Sequence, residues 1–201
     1  MNFLLGTSYA GNLNYFSCIK NSKNIAVDLN EFFHKQSFKN RCQIYGANGL
    51  LNLTVPIQRK AGRNPVKDIK IEYSFNWQKV HWKSLESSYR SSPYFEYYEH
   101  YFASLYLNEK PKFLIDFNTS VFETVLKILD LNIQLAYTDS YEKSMDNFTD
   151  NRNLIHPKLK PTPIFSGKKY YQVFQEKFGF IPNLSIYDLI FNEGPSAVLY
   201  L

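Results

Sequence analysis

The first 28 residues constrain this chain more than any other stretch. Residues 3–6 (FLLG) are a short apolar run closed by a glycine. Leu13, Phe16, Cys18 and Ile19 then recur at helical spacing, and residues 24–28 (NIAVD) are again apolar and β-rich. Strand, helix and strand in so short a span predict a parallel βαβ unit, because parallel strands need a crossover between them. Ligands in open α/β sheets gather beyond the carboxyl ends of the strands. Thr7, Ser8 and Tyr9, in the loop after the first strand, are therefore early site candidates. The spacing from Gly6 to Gly11 is not G-x-G-x-x-G, so no dinucleotide fingerprint is present.

The rest of the chain extends the same plan. Residues 41–46 and 50–57 flank Ala47-Asn48-Gly49, and Asn-Gly predicts a hairpin because both residues tolerate positive φ. Residues 68–73 (DIKIEY) alternate and predict a strand. Asn76 caps a predicted helix running to about Ser92, Pro93 begins a second over 94–107, and Pro111 opens a third with an apolar stripe through Leu114, Phe117, Val121, Val125 and Ile128. Residues 133–138 predict another strand. Residues 139–165 are polar and then proline-rich, and are expected to be a flexible excursion. A helix over 170–178 and a Ser185-capped helix complete the chain. The expected architecture is α/β: a single domain with a central mixed sheet that starts with the βαβ unit, a β-hairpin, and flanking helices.

Composition removes several function classes. At 44% hydrophobic residues the chain is not disordered. The +5 charge suits an anionic small molecule but is spread thinly, with no arginine-rich run, so nucleic acid is not expected as a partner. Cys18 and Cys42 have neither C-x-x-C spacing nor a zinc constellation around them, which predicts no metal site and fits a reducing compartment. No apolar run reaches the length of a transmembrane helix or of a signal-peptide core, and a cytoplasmic location is expected. No cofactor motif is recognisable, and oligomeric state is open.

The helix over 76–92 has an unusual inward face. At about 100° per residue, Trp77, His81, Ser84, Leu85 and Ser88 lie together, opposite Lys79, Lys83, Glu86 and Arg90. The charged side must be solvated, so the inward side carries three polar groups. Unpaired buried polar groups cost about 1–3 kcal/mol each. Either the groups pair internally, with His81 a satisfied core histidine, or they line a wet pocket with His81 as acid or base. A second cluster is Lys35-Gln36-Ser37-Phe38-Lys39-Asn40-Arg41. If residues 36–44 are extended, Gln36, Phe38, Asn40 and Cys42 share one face and Ser37, Lys39 and Arg41 the other. Gln36 and Asn40 suit sugar hydroxyls or an amide, and Arg41 suits a carboxylate or phosphate. The alternative is a solvated basic edge. His156 beside Pro157, and Asp188 one turn before Asn192, are further candidates.

The same blocks carry a family resemblance. Phe33, Lys35-Gln36-Ser37-Phe38-Lys39-Asn40-Arg41 and Ile44 are followed by Asn48-Gly49 with Leu53-Thr54-Val55-Pro56. Trp77, His81-Trp82 and Leu85 come next, then Ser92-Pro93-Tyr94-Phe95 with Tyr98, His156-Pro157-Lys158 and the ending LSIYDLIFNEGP. In this order, over nearly the whole chain, they resemble the WbqC-like family of bacterial proteins. The chain departs from it at Ser8-Tyr9-Ala10-Gly11-Asn12, where many members have Gln-Pro-Tyr-x-x-Pro. The resemblance implies an association with O-antigen and related surface-polysaccharide clusters, and a glycyl (aminoacyl) transfer to a sugar. It implies His81 as general base, with Gln36, Asn40 and Arg41 binding the donor or sugar phosphate; Lys35, Ser84, Ser88, Tyr9, Trp82, His156 and Asp188 are the further residues expected around a nucleotide-sugar or other anionic substrate. The other reading is a non-catalytic binding or assembly protein of the same pathway, which predicts an exposed patch of Tyr94, Tyr97, Tyr98 and Tyr101.

Overall fold

The computed structural model describes residues 1–58, 61–152 and 168–201. The βαβ unit forms as expected. β1 (Asn2–Gly6) and β2 (Asn24–Asp28) pair in parallel, with Leu4 beside Ala26, across α1 (Leu13–Lys20). Asn12 starts α1 by accepting the Tyr15 N–H (3.0 Å), which satisfies one of the free donors of the first turn.

The hairpin is β3 (Arg41–Gly46) and β4 (Gly49–Thr54). Only Gly49 takes a positive φ (98°) there. The hairpin is a separate antiparallel two-stranded sheet. The larger sheet is completed by β5 (Gln134–Tyr137) beside β2 and β6 (Thr149–Asp150) beside β1, in the order β5-β2-β1-β6 with every pairing parallel.

Three long helices bury the hairpin and sheet: α2 (Trp77–Tyr89), α3 (Phe95–Leu107) and α4 (Leu114–Ile128). α2 begins at the expected cap, where Asn76 accepts the Lys79 N–H (3.2 Å). It ends at Tyr89, whose carbonyl takes the Ser92 hydroxyl (2.6 Å). Near the end of the chain come α5 (Gln175–Phe178) and α6 (Ile186–Glu193), then a 3-10 helix over Gly194–Tyr200. The core joining these layers is aromatic: Trp77, Tyr106 and Phe117 meet edge to face, as do Phe95, Phe102 and Phe191. None of the described helices is long and apolar enough to cross a membrane.

Three local expectations change. Residues 68–73 do not form a strand. Val66–Asp68 is a 3-10 turn, and single bridges then join Lys70 to Phe113 and Ile71 to Ile57. The alternation was real, since Ile69 and Ile71 are both buried. The segment alternates its backbone partners between two other segments, so no ladder develops. The helix expected over 170–178 is confined to its last four residues. Tyr170 and Gln172 instead turn their side chains onto Asp188. Residues 36–40 are turns rather than extended, with Gln36 left-handed at φ 59°, and β3 starts only at Arg41.

Candidate functional site

The turn over 31–40 leaves the carboxyl end of β2, where a ligand site is expected in a parallel sheet. Its base is tied by charges. Asp28 is buried, and its Oδ1 accepts the backbone N–H groups of Asn30 (2.9 Å) and Glu31 (3.1 Å) and the Thr138 hydroxyl (2.9 Å). Arg152 donates to the other Asp28 oxygen (2.6 Å), to Asp150 (2.6 Å) and to the carbonyls of Glu142 and Lys143, so one side chain ties β6 and its approach to β2. Glu31 and Lys39 form a buried ion pair that closes the turn. Burial pushes the Glu31 carboxyl up and the Lys39 ammonium down, and each partner's charge opposes that push. Because the segment is not extended, the period-2 argument fails here: Lys39 and Ser37 turn inward along with Phe38 and Asn40.

Against the other side of this turn lies a cavity of about 820 Å³. Its polar wall includes Lys35, Gln36, Asn40, Arg41, Thr54 and Gln58, and its apolar surface is Phe33, Ile57 and Ile69. That volume lies within the range of small-molecule and cofactor sites. Among the described lining residues the only charges are Lys35 and Arg41, and no carboxylate is present. Arg41 stands on β3 directly across from Thr54 of β4. Its Nε is buried and has no hydrogen-bond partner among the described residues. Asn40 is partly committed, since its amide donates to the Val55 carbonyl (2.8 Å). Gln36 and Lys35 are exposed at the rim.

His81 is elsewhere. It is 5% exposed and does not line the cavity. Nδ1 lies 2.9 Å from the Tyr9 hydroxyl. The Thr54 backbone also lies against the ring and favours its charged form. The chain continues from Tyr9 to Tyr106 (2.6 Å) and from Tyr106 to Tyr187 (2.9 Å). Burial lowers the pKa of His81 to about 4, so the ring is neutral near pH 7. Thr54 lies both against this network and on the cavity wall.

The remaining candidates scatter. Tyr9 is wholly inside the hydroxyl chain. Trp82 is buried and stacks on Phe95 (6.0 Å). Ser88 is buried, and Ser84 is half-buried with its hydroxyl returned to the Val80 carbonyl (2.9 Å). Asp188 is fully buried and accepts from Tyr89 (2.9 Å), Tyr170 (2.5 Å) and Gln172 (3.0 Å). Burial raises its pKa to about 6 against the pull of these donors. His156 lies outside the described residues. Thus Lys35, Gln36, Asn40 and Arg41 come together, while His81 with Tyr9, and Asp188, occupy two separate interior networks. Of the four tyrosines 94, 97, 98 and 101, Tyr97 is well exposed (67%) while Tyr98 is buried. Both cysteines are buried free thiols.

Sequence reasoning missed Glu31, Lys39 as an inward group, and Arg152. Asp28 at a strand end was a usable signal for the first two. Arg152 comes from 124 residues away and had none.

The comparisons add a family but no activity. The chain is 27% identical over 195 residues to a Mycobacterium tuberculosis (strain ATCC 25618 / H37Rv) protein named only as uncharacterized protein Rv1507c, covering 84% of this chain and 83% of that one. No solved structure matches. The model of the WbqC-like protein family matches residues 7–169, and the chain belongs to that family.

Proposed function

We propose that the cavity beside the 31–40 turn binds an anionic sugar derivative. The protein would then serve surface-polysaccharide synthesis in the cytoplasm by transferring a small acyl group, such as glycyl, to that sugar. The observation that carries this reading is a cavity wall whose only charges among the described residues, Lys35 and Arg41, are positive. A phosphate or carboxylate takes charge-assisted hydrogen bonds from a guanidinium that lines its site. Lys35 adds a second charge at the rim, and the amides of Gln36 and Gln58 suit sugar hydroxyls. His81, bonded through Nδ1 to Tyr9 and set against the Thr54 backbone, would hold that part of the cavity wall in place.

One observation favours the second reading, a non-catalytic binder of the same ligand class. Apart from Lys35 and Arg41, no titratable side chain lines the cavity among the described residues. Calorimetric titration with UDP-N-acetylglucosamine and with inorganic pyrophosphate tests the shared premise. Arg41→Ala is expected to weaken binding by at least about tenfold, equivalent to about 1.4 kcal/mol. Unchanged affinity in that variant, or no binding by the wild type, would remove the premise. Incubation with an activated glycine donor then separates the two readings: a sugar that gains the mass of a glycyl residue supports transfer, and an unmodified sugar leaves the binder.

A further inference from the structure

We propose that the outer edge of β4 is a contact between two copies of this chain, joined by antiparallel β4–β4 pairing about a two-fold axis at Leu51. The hydrogen-bond phase of the hairpin leads to this. The Val55 N–H donates to the Asn40 carbonyl (2.8 Å), so Asn40 and Val55 form a closely bonded pair. In an antiparallel ladder such pairs alternate. Cys42–Leu53 and Ile44–Leu51 are therefore bonded as well, and the backbone groups of Arg41, Gln43 and Tyr45, and of Leu50, Asn52 and Thr54, point away from the ladder.

Two contacts agree with that phase on β3. The outward Tyr45 N–H donates to the Tyr89 hydroxyl (3.1 Å), and the outward Gln43 carbonyl accepts the Ser185 N–H (2.8 Å). The outer edge of β3 is thus occupied. On β4, Thr54 meets His81. Leu50 and Asn52 have no outward backbone partner among the described residues, and Leu50 and Leu51 are 48% and 38% exposed.

Proteins blunt open strand edges with lysine, proline or a bulge. Residues 50–54 (LLNLT) have none of these, and their register with β3 is unbroken. The edge is uncharged, and it is complementary to itself. With Leu51 on the axis, Leu50 lies opposite Asn52 of the second copy, and Asn52 opposite its Leu50. Each pair exchanges two backbone hydrogen bonds, which uses the outward N–H and C=O groups of both Leu50 and Asn52. The two Leu51 side chains then face one another in line with buried Ile44 and Leu53, so the core face of the hairpin continues across the axis. A two-fold contact of this kind closes on itself and stops at a dimer.

Sedimentation of the full chain tests this. The wild type is expected to sediment as a dimer. Asn52→Pro removes an outward N–H that the β3 ladder does not use, and Leu51→Lys sets two ammonium groups face to face; each should give a monomer with an unchanged circular dichroism spectrum. Leu51→Cys should cross-link under mild oxidation, which keeps the test open if either other variant fails to fold. A wild type that stays monomeric at every attainable concentration, a dimer that survives both substitutions, or a Leu51→Cys protein that does not cross-link would each overturn the proposal.

Discussion

Replacing Asp188 by Asn should make the fold markedly more sensitive to mild acid. Two buried groups titrate in opposite senses. His81 has a pKa of about 4 in the fold against an ordinary 6.5. Between those values the unfolded chain binds a proton that the native ring refuses. Its contribution is therefore present above about pH 6.5 and is lost as pH falls through about 4. Asp188 is displaced the other way, from 3.8 to about 6. In that window the native carboxyl holds a proton that the unfolded one releases, so stability is fully present below pH 3.8 and is lost as pH rises through about 6. At about 1.4 kcal/mol per pKa unit, each contributes about 3 kcal/mol, and between about pH 4 and 6 the two slopes oppose. Asp188→Asn removes one of them. The free-energy difference between wild type and variant should shift in favour of the wild type by about 3 kcal/mol as pH falls from about 7 to about 4. Taking the difference cancels the other titrating groups: Glu31, whose raised pKa acts in the same sense as Asp188, and Glu86 and Asp150, whose lowered pKa values act in the opposite sense. Changes in the hydrogen bonds to Tyr89 and Tyr170 add an offset that does not vary with pH. Urea unfolding followed by the fluorescence of buried Trp77 and Trp82 measures this. A difference that is flat across the window would refute the burial account of Asp188.

Other substitutions probe the remaining networks, each read by urea unfolding at about pH 7. Tyr9→Phe leaves the His81 Nδ1 without its partner, while Tyr106 keeps Tyr187, and should cost about 1–3 kcal/mol. Glu31→Ala strands a buried ammonium and should cost about 3–5 kcal/mol, whereas Glu31→Leu combined with Lys39→Met should recover most of that loss. If the double variant is as unstable as the single one, the ion pair is not what makes the single change costly. Gly194→Ala should destabilise strongly, because Gly194 has φ 54° and an added Cβ would run into the Tyr94 ring; a shift within about 0.5 kcal/mol of wild type would contradict that packing.

The chain's own order determined its local elements. Caps at Asn76 and Ser185, the βαβ spacing and the Asn-Gly hairpin are short-range devices, and all are found where the residues place them. The amphipathic phase of α2 was equally legible: Lys79, Lys83 and Arg90 face water and His81 faces inward. Whether that inward face is wet or dry was not local information. Tyr9 from the loop after β1, Tyr106 from α3 and Tyr187 from α6 fill the space around the imidazole, from positions 72 residues before it to 106 after it in the chain. The 31–40 segment shows the same limit. Periodicity assumes one backbone conformation throughout, but a left-handed Gln36 and the Glu31–Lys39 closure break it, so Lys39 is buried where alternation would have left it in water. Side-chain patterning reports which groups avoid solvent; only tertiary packing decides which segments meet them there, because the partners of a buried polar group are brought from distant parts of the chain.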